Sequence, residues 1–257
     1  MPGIKEPELP EVGVRVEYTP EEFMAAAIAR EVRDGETAAV GTLSPIPAAG
    51  LLLAHFTHAP RTTPIIINHD DYWPFRRGSK DFYDYAQKGA LDLFFLSGGQ
   101  IDQAGNLNLI AIGEADHPRV RFPGGAGAAM LYYLARRVIL FRNDHSPNGF
   151  VERVDWITSP GASSPRVARR GGPWKVITPL VVLRFGQESK RLDVESIHPG
   201  VNPEEVQRRT GFALDFSRPV ATTPEPVPEQ LRVLRTRVRD SLASVYPVFA
   251  GTAFRPA

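Results

Sequence analysis

Thr37-Ala38-Ala39-Val40-Gly41-Thr42, then a helical stretch from about Ile46 to Phe56, then Pro64-Ile65-Ile66-Ile67-Asn68, is the passage that decides the fold. Both short runs are apolar without polar alternation, which marks strands buried on two faces. The helix between them returns the chain to the same end of the sheet, so the unit is β-α-β with a parallel pair. Upstream, Thr19-Pro20-Glu21-Glu22 reads as a capping box, opening a helix with Phe23, Ala27, Ile28 and Val32 on one side and Gly35 at its end. Downstream the pattern repeats: a helix capped by Ser79 running through Phe82, Tyr83 and Ala86 to Gly89, a strand Leu91 to Leu96, a helix Ala128 to Arg136 and a strand Val138 to Phe141. The expected fold is α/β, an open and mainly parallel sheet with helices on both faces.

From Phe150 onward strands dominate. They are expected at Phe150 to Ile157, Lys175 to Thr178, Val181 to Phe185 and Arg191 to Ile197, giving a β-rich C-terminal part. Gly161 to Gly172 is a basic loop of small residues, of a length usually tied to mobility or function. Asn202, Pro203 and Glu205 start a short helix, and a last helix from about Glu229 to Leu242 carries Leu231, Leu234, Val238 and Leu242 as a face for the sheet or for another subunit. Residues 1–18 read as an N-terminal arm and residues 19–257 as one domain.

Composition narrows the function. Thirty basic and 29 acidic side chains leave a formal charge of +1, so no global field would draw nucleic acid or a membrane surface. No apolar run reaches the ~20 residues of a membrane-spanning helix, and no secretory signal opens the chain, which is read as cytoplasmic. With no cysteine, a covalent intermediate would need Ser, Thr, Lys, Asp or Glu. The 22 glycines and 24 prolines are spread along the chain, as in a protein of many short elements.

Three features carry candidate chemistry. Gly98-Gly99-Gln100, continuing through an Ala-Gly-Asn hairpin that includes Asn106, and the loop Gly124-Gly125-Ala126-Gly127 both follow or precede regular elements at positions where backbone amides can approach a phosphate or an oxyanion. Either can equally be a tight turn, and neither matches a nucleotide-binding fingerprint. Asn68-His69-Asp70-Asp71 follows a buried strand, where catalytic groups are often placed; an acid–base role for Asp70, Asn68 and His69 and a solvated loop are both open. No metal is expected there, because adjacent strand residues point to opposite faces and no further ligand is at hand. His117 and Arg119 are candidate substrate contacts or surface groups, and His55, His58 and His198 are read as structural. No Gly-x-Ser-x-Gly elbow occurs.

In order and spacing, several segments resemble the β (B) subunit of class I CoA-transferases, of the glutaconate CoA-transferase B type, over roughly Thr19 to Leu234. They are Ala27-Ile28-Ala29-Arg30 with Asp34-Gly35, Val40-Gly41-Thr42, Ala59-Pro60, Gly98-Gly99-Gln100-Ile101-Asp102 with Gly105-Asn106-Leu107-Asn108, Ile112-Gly113 and His117-Pro118-Arg119. The series continues through the 124–127 loop, Phe150-Val151-Glu152-Arg153-Val154-Asp155, Thr158-Ser159-Pro160-Gly161, His198-Pro199-Gly200 and Thr210-Gly211-Phe212. The resemblance implies the CoA-transferase type of open α/β sheet, a partner α (A) subunit in a heterodimer or heterotetramer, and an acyl-CoA substrate. Coenzyme A would enter as part of that substrate, with no fixed cofactor. It implies a pocket in which Gly98, Gly99, Gln100, Asn106, His117, Arg119, Gly124, Gly125 and Gly127 bind substrate.

The family's transfer chemistry uses a β-subunit glutamate that attacks the thioester, placed in a Glu-Ser-Gly segment after the strand that follows Ala-Pro. Here Asn68-His69-Asp70-Asp71 stands in its place and the glutamate is absent. Asp70 is one methylene shorter and displaced along the chain, which bears on reach, since attack requires approach to about 3–3.5 Å. The implied activity is CoA transfer between carboxylic acids. The alternatives are a CoA-thioester or ring-cleaving hydrolase with the catalytic carboxylate on the α subunit, and a noncatalytic binding subunit.

Overall fold

Thr19 caps the first helix as its side chain dictates. Its Oγ1 accepts from the Glu22 amide at 3.0 Å and the Glu22 carboxylate accepts from the Thr19 amide at 2.9 Å, while Pro20 occupies a position that needs no donor. This computed structural model describes residues 17–256, so most of the expected N-terminal arm lies outside the described residues. The first half runs α1 (Pro20–Ala29), β1 (Thr37–Val40), α2 (Pro45–Phe56), β2 (Thr63–Ile66), α3 (Ser79–Gln87), β3 (Leu93–Leu96), β4 (Gln100–Ile101), β5 (Leu107–Asn108), β6 (Ala111–Gly113) and β7 (Pro118–Arg121). The second half runs α4 (Ala128–Leu134), β8 (Arg137–Phe141), β9 (Pro173–Ile177), β10 (Val181–Phe185), β11 (Leu192–Ile197), α5 (Pro203–Arg208), β12 (Ala221–Thr222), α6 (Pro228–Val233), a π-helical turn (Leu234–Val238), α7 (Arg239–Leu242) and α8 (Pro247–Thr252).

The main sheet has the strand order β12-β11-β10-β9-β8-β3-β1-β2. From β2 to β9 neighbouring strands are parallel, β10 runs antiparallel to both its neighbours, and β12 pairs parallel with β11. Successive residues of the central strands feed two different cores. Ala38, Val40, Phe95, Ile139 and Phe141 pack with α1, α2 and the C-terminal helices, whereas Ala39, Phe94, Val138 and Leu140 pack with α3, α4 and the β4–β5 hairpin. That is why these strands read as continuous apolar runs. The α1–α2 contact is close enough to require Gly50: a Cβ there would lie 2.7 Å from the Ile28 Cβ and 2.8 Å from the Ala25 carbonyl oxygen.

The expected fold class is the observed one, with departures in detail. Phe150 to Ile157 is not a strand; its buried residues, Phe150 and Val154, are four apart rather than two, and only one bridge, to Ile101, is formed. Ser79 does not cap α3. Gly78 precedes the helix, and the Asp81 carboxylate accepts from the Arg77 amide at 3.1 Å. The last helix is interrupted by the π-helical turn, and its face of Leu231, Leu234, Val238 and Leu242 is buried in the core shared with α2. That face is therefore covered by this chain and is not the contact surface for another subunit. The basic loop is tied down by Arg169, which donates to the carbonyls of Gly171 and Pro160 at 2.6 and 2.7 Å and lies over the Tyr133 ring.

Candidate active site

Parallel strands end side by side, so whatever follows β1, β2, β3 and β8 collects at one edge of the sheet. There the chain leaves a cleft of about 570 Å³. Its walls are Gly41 to Ser44 after β1, Ile67 after β2, Ser97 and Gly98 after β3, Arg142 to Asp144 after β8, and the loop Gly124 to Gly127 before α4. The amides of Gly124, Gly125, Ala126 and Gly127 make no hydrogen bond among the described residues, so the loop presents a run of uncommitted donors. Three of the non-glycine residues with positive φ border this region: Leu43 at 53°, Asn68 at 65° and Ala126 at 42°. Gly127 is close-packed, since a Cβ there would overlap the Tyr83 ring.

Arg142 braces one wall. Its Nη1 donates to the carbonyls of Gly98 and Gly99 at 2.5 and 2.8 Å, and Nε and Nη2 donate to the Asp144 carboxylate at 3.0 and 2.7 Å. Four of the five guanidinium donors are thereby used. The guanidinium lies against Gly149, where a Cβ would come within 2.6 Å of its Cζ. Partial burial pushes the Asp144 carboxyl up, but hydrogen bonds from Ser146 and Arg142, with the Arg142 charge, outweigh it and hold the group below the usual carboxylate range. Among the described residues Asp144 is the one carboxylate in the lining of this cleft.

Of the residues singled out from sequence, Gly98, Gly124, Gly125 and Gly127 line the cleft. Gly99 adjoins it through the Arg142 tether and packs against Phe122. Gln100 and Asn106 serve the hairpin behind it. The Gln100 Oε1 accepts from Asn108 at 2.7 Å and from the Asp155 amide at 3.0 Å, and Asn106 donates to Asp102 at 3.0 Å while its Oδ1 accepts from the Gly161 amide at 2.9 Å. His117 and Arg119 are exposed at the β6–β7 ribbon, outside the lining.

Asn68, His69 and Asp70 do not line the cleft. The left-handed turn at Asn68 carries the chain away from the strand end, leaving Asn68 and Asp70 exposed. His69 is 2% exposed; its Nδ1 accepts from the Asp71 amide at 3.2 Å, so Nε2 holds the proton and donates to the Ser241 hydroxyl at 3.0 Å. It therefore joins this turn to α7. No cluster of three His, Asp or Glu side chains suited to a metal ion occurs among the described residues.

His198 is structural as expected, between the Thr178 carbonyl at 2.7 Å and the Thr223 hydroxyl at 2.9 Å. Sequence reasoning misses His145. It lies between the hydroxyls of Thr178 and Thr210, both at 2.9 Å, and stacks on Phe150. Burial lowers the pKa of both imidazoles to about 4. Arg142 and Asp144 escape it too, although the strand before them is expected. Extending the strand-end rule from Gly98 to the residues after Phe141 is the signal that finds them.

The family model described as Coenzyme A transferase matches residues 68–209. The chain is 28% identical to the β (B) chain of the glutaconate CoA-transferase of Acidaminococcus fermentans, over 86% of this chain and 92% of that one. A chain in the crystal structure of that organism's glutaconate coenzyme A-transferase superposes with a TM-score of 0.78 at 25% identity, covering 89% of this chain and 98% of its own length. Identity is 30% to the β (B) chain of the 3-oxoadipate CoA-transferase of Pseudomonas knackmussii, over 85% and 92% of the two chains. It is 25% to the cholesterol ring-cleaving hydrolase IpdB subunit of Rhodococcus jostii, again over 85% and 92%.

Proposed function

Since the chain belongs to the coenzyme A transferase family, we propose that it works as the β subunit of a heteromeric CoA-transferase whose acyl-CoA thioester lies in the strand-end cleft. The observation that carries this reading is the conjunction of the 124–127 amides, free of partners within the described chain, with the Arg142-braced Gly98 loop in one cleft. A thioester carbonyl that is attacked becomes an oxyanion, and preorganised N–H groups stabilise that charge more than they stabilise the starting carbonyl. Arg142 holds the Gly98 and Gly99 carbonyls on its own donors, which fixes the opposite wall. Coenzyme A is part of the substrate. Residues 19–257 act as one unit, paired with an α subunit as in the relatives named for the same half of their enzymes.

A second reading is favoured by one specific observation. The end of β2 offers the apolar Ile67 to the cleft, and Asp144 is engaged by Arg142 and Ser146, so the described residues place no uncommitted carboxylate there. On that reading the acid belongs to the α partner and water replaces the acceptor acid, as in a thioester hydrolase.

Incubating the assembled α–β complex with an acyl-CoA and acetate separates the two. The transferase reading predicts acetyl-CoA and the free acyl acid in equal amounts. Free CoA thiol formed equally fast without acetate supports hydrolysis, and a complex that consumes no acyl-CoA contradicts both.

A further inference from the structure

We propose that the chain carries a second site, separate from the thioester cleft, for a multiply charged phosphate compound, where the basic 161–172 loop meets the starts of β8 and β9. The proposal does not depend on the acyl-CoA reading. The loop walls a cavity of about 490 Å³. The lining contains Arg136, Arg137, Arg169, Arg170 and Lys190 and, among the described residues, no carboxylate. In a chain of 30 basic and 29 acidic side chains this is a strong local excess of one sign. Arg136 and Arg137 stand at the start of β8 and the cleft residues Arg142 to Asp144 follow its end, so about 15 Å of strand lies between the two places.

Two of the five cations are already neutralised. Arg137 pairs with Glu36 at 2.7 Å and Arg136 with Asp92 at 3.2 Å, and both acids lie outside the lining. The other three meet no carboxylate among the described residues. Arg169 is partly buried, and its hydrogen bonds all go to neutral oxygens, the carbonyls of Gly171, Pro160 and Tyr132 and the Ser163 hydroxyl. Burial lowers its pKa from the ordinary guanidinium value, as for a cation without a counter-charge. The Arg170 guanidinium lies where a Gly89 side chain would stand, and Lys190 sits in a left-handed turn at φ 54°; neither side chain has a hydrogen-bond or ion-pair partner among the described residues. Glu188, in the same turn as Lys190, is exposed and outside the lining.

Cations that are partly desolvated and unpaired gain most from an anion brought into the same cavity. The amides of Ser163 and Ser164 make no hydrogen bond among the described residues and add donors suited to phosphate oxygens. Three unneutralised cations exceed what one carboxylate requires and match a ligand with two or more phosphate charges. The loop is also fixed at both ends: a Cβ on Gly161 would overlap the Ala104 carbonyl, and one on Gly171 the Arg136 carbonyl. The cavity is thereby formed in advance of its ligand.

Binding of inorganic pyrophosphate to the assembled α–β complex, measured by titration calorimetry at low ionic strength, tests the site. Pyrophosphate should bind equally well when the complex is saturated with CoA, and the Arg170→Ser/Lys190→Ser chain should raise its Kd by about tenfold or more. Both residues are exposed and unpartnered, so folding is not at stake. Arg170→Lys/Lys190→Arg, which keeps both charges, should bind within about threefold of the unaltered chain. Acyl-CoA consumption without pyrophosphate should be unchanged in Arg170→Ser/Lys190→Ser, because neither residue lines the cleft. Displacement of pyrophosphate by CoA, or loss of acyl-CoA consumption in that variant, overturns the separate site. An unchanged Kd in the variant, an equal affinity for acetate, or no binding at millimolar pyrophosphate overturns the phosphate site and leaves the acyl-CoA reading intact.

Discussion

Arg142 joins two strand ends that are distant in sequence, and the site's geometry depends on its planar fork. Lysine at this position keeps the charge but cannot hold two carbonyls and a carboxylate at once. Arg142→Lys should lower kcat by about 10- to 100-fold through displacement of the Gly98 wall, with KM changed less than threefold. Steady-state kinetics of the assembled complex with an acyl-CoA that it consumes check it; unchanged kcat would show that the tether is dispensable. At this scale the sequence is legible where chemistry is local. Gly98 and Gly124 to Gly127 reveal themselves by standing between regular elements. Asn68 to Asp71 also looks local, yet the direction of the turn depends on a single positive φ at Asn68, which a side chain does not announce. The tether that Arg142 makes to Gly98 and Gly99 gives no local sign, because those partners are more than forty residues away.

The elements are legible to the extent that their periodicity is set by burial. Both sides of β1, β3 and β8 are covered, and their unbroken apolar runs say so. The segment after Phe150 misleads because its apolar residues serve as anchors for a loop rather than as one face of a strand. The π-helical turn between α6 and α7 has no sequence signature, and the apolar face it carries looks the same whether it covers this chain or another.

The loop that follows β8 and the turns that follow β9 and β11 are joined by His145 and His198 through Thr178, and this sets a pH limit on stability. Both imidazoles are held neutral by burial, with pKa values of about 4 against an ordinary 6.5. Above pH 6.5 neither the folded nor the unfolded chain protonates them, so they contribute no pH dependence. As pH falls from 6.5 towards 4 the unfolded chain takes up protons first, and stability declines by up to about 3 kcal/mol per histidine. Urea midpoints at pH 7.5 and pH 5 should therefore differ, with a smaller difference in His145→Gln. An equal difference in that variant would assign the loss to other groups.

For the whole molecule, the sheet places an open cleft at one end and covers both faces with this chain's own helices. No helix among the described residues is long and apolar enough to cross a membrane. The fold is legible because the β-α-β pattern and the family's motifs agree. The activity is less so, because Asn68-His69-Asp70-Asp71 stands where the resemblance implies a glutamate, and that turn leaves the cleft.

The central claim is that thioester chemistry takes place against the 124–127 loop and not at the turn after β2. It is tested most directly by acyl-CoA consumption in the assembled complex, comparing the unaltered chain with Gly127→Val and Asp70→Asn. The valine would force the Tyr83 ring, itself part of the cleft wall, out of position. The account predicts that Asp70→Asn retains activity within about twofold, and that Gly127→Val loses about 100-fold or more while still assembling with the α subunit. Full activity in Gly127→Val, or loss of activity in Asp70→Asn, would contradict it.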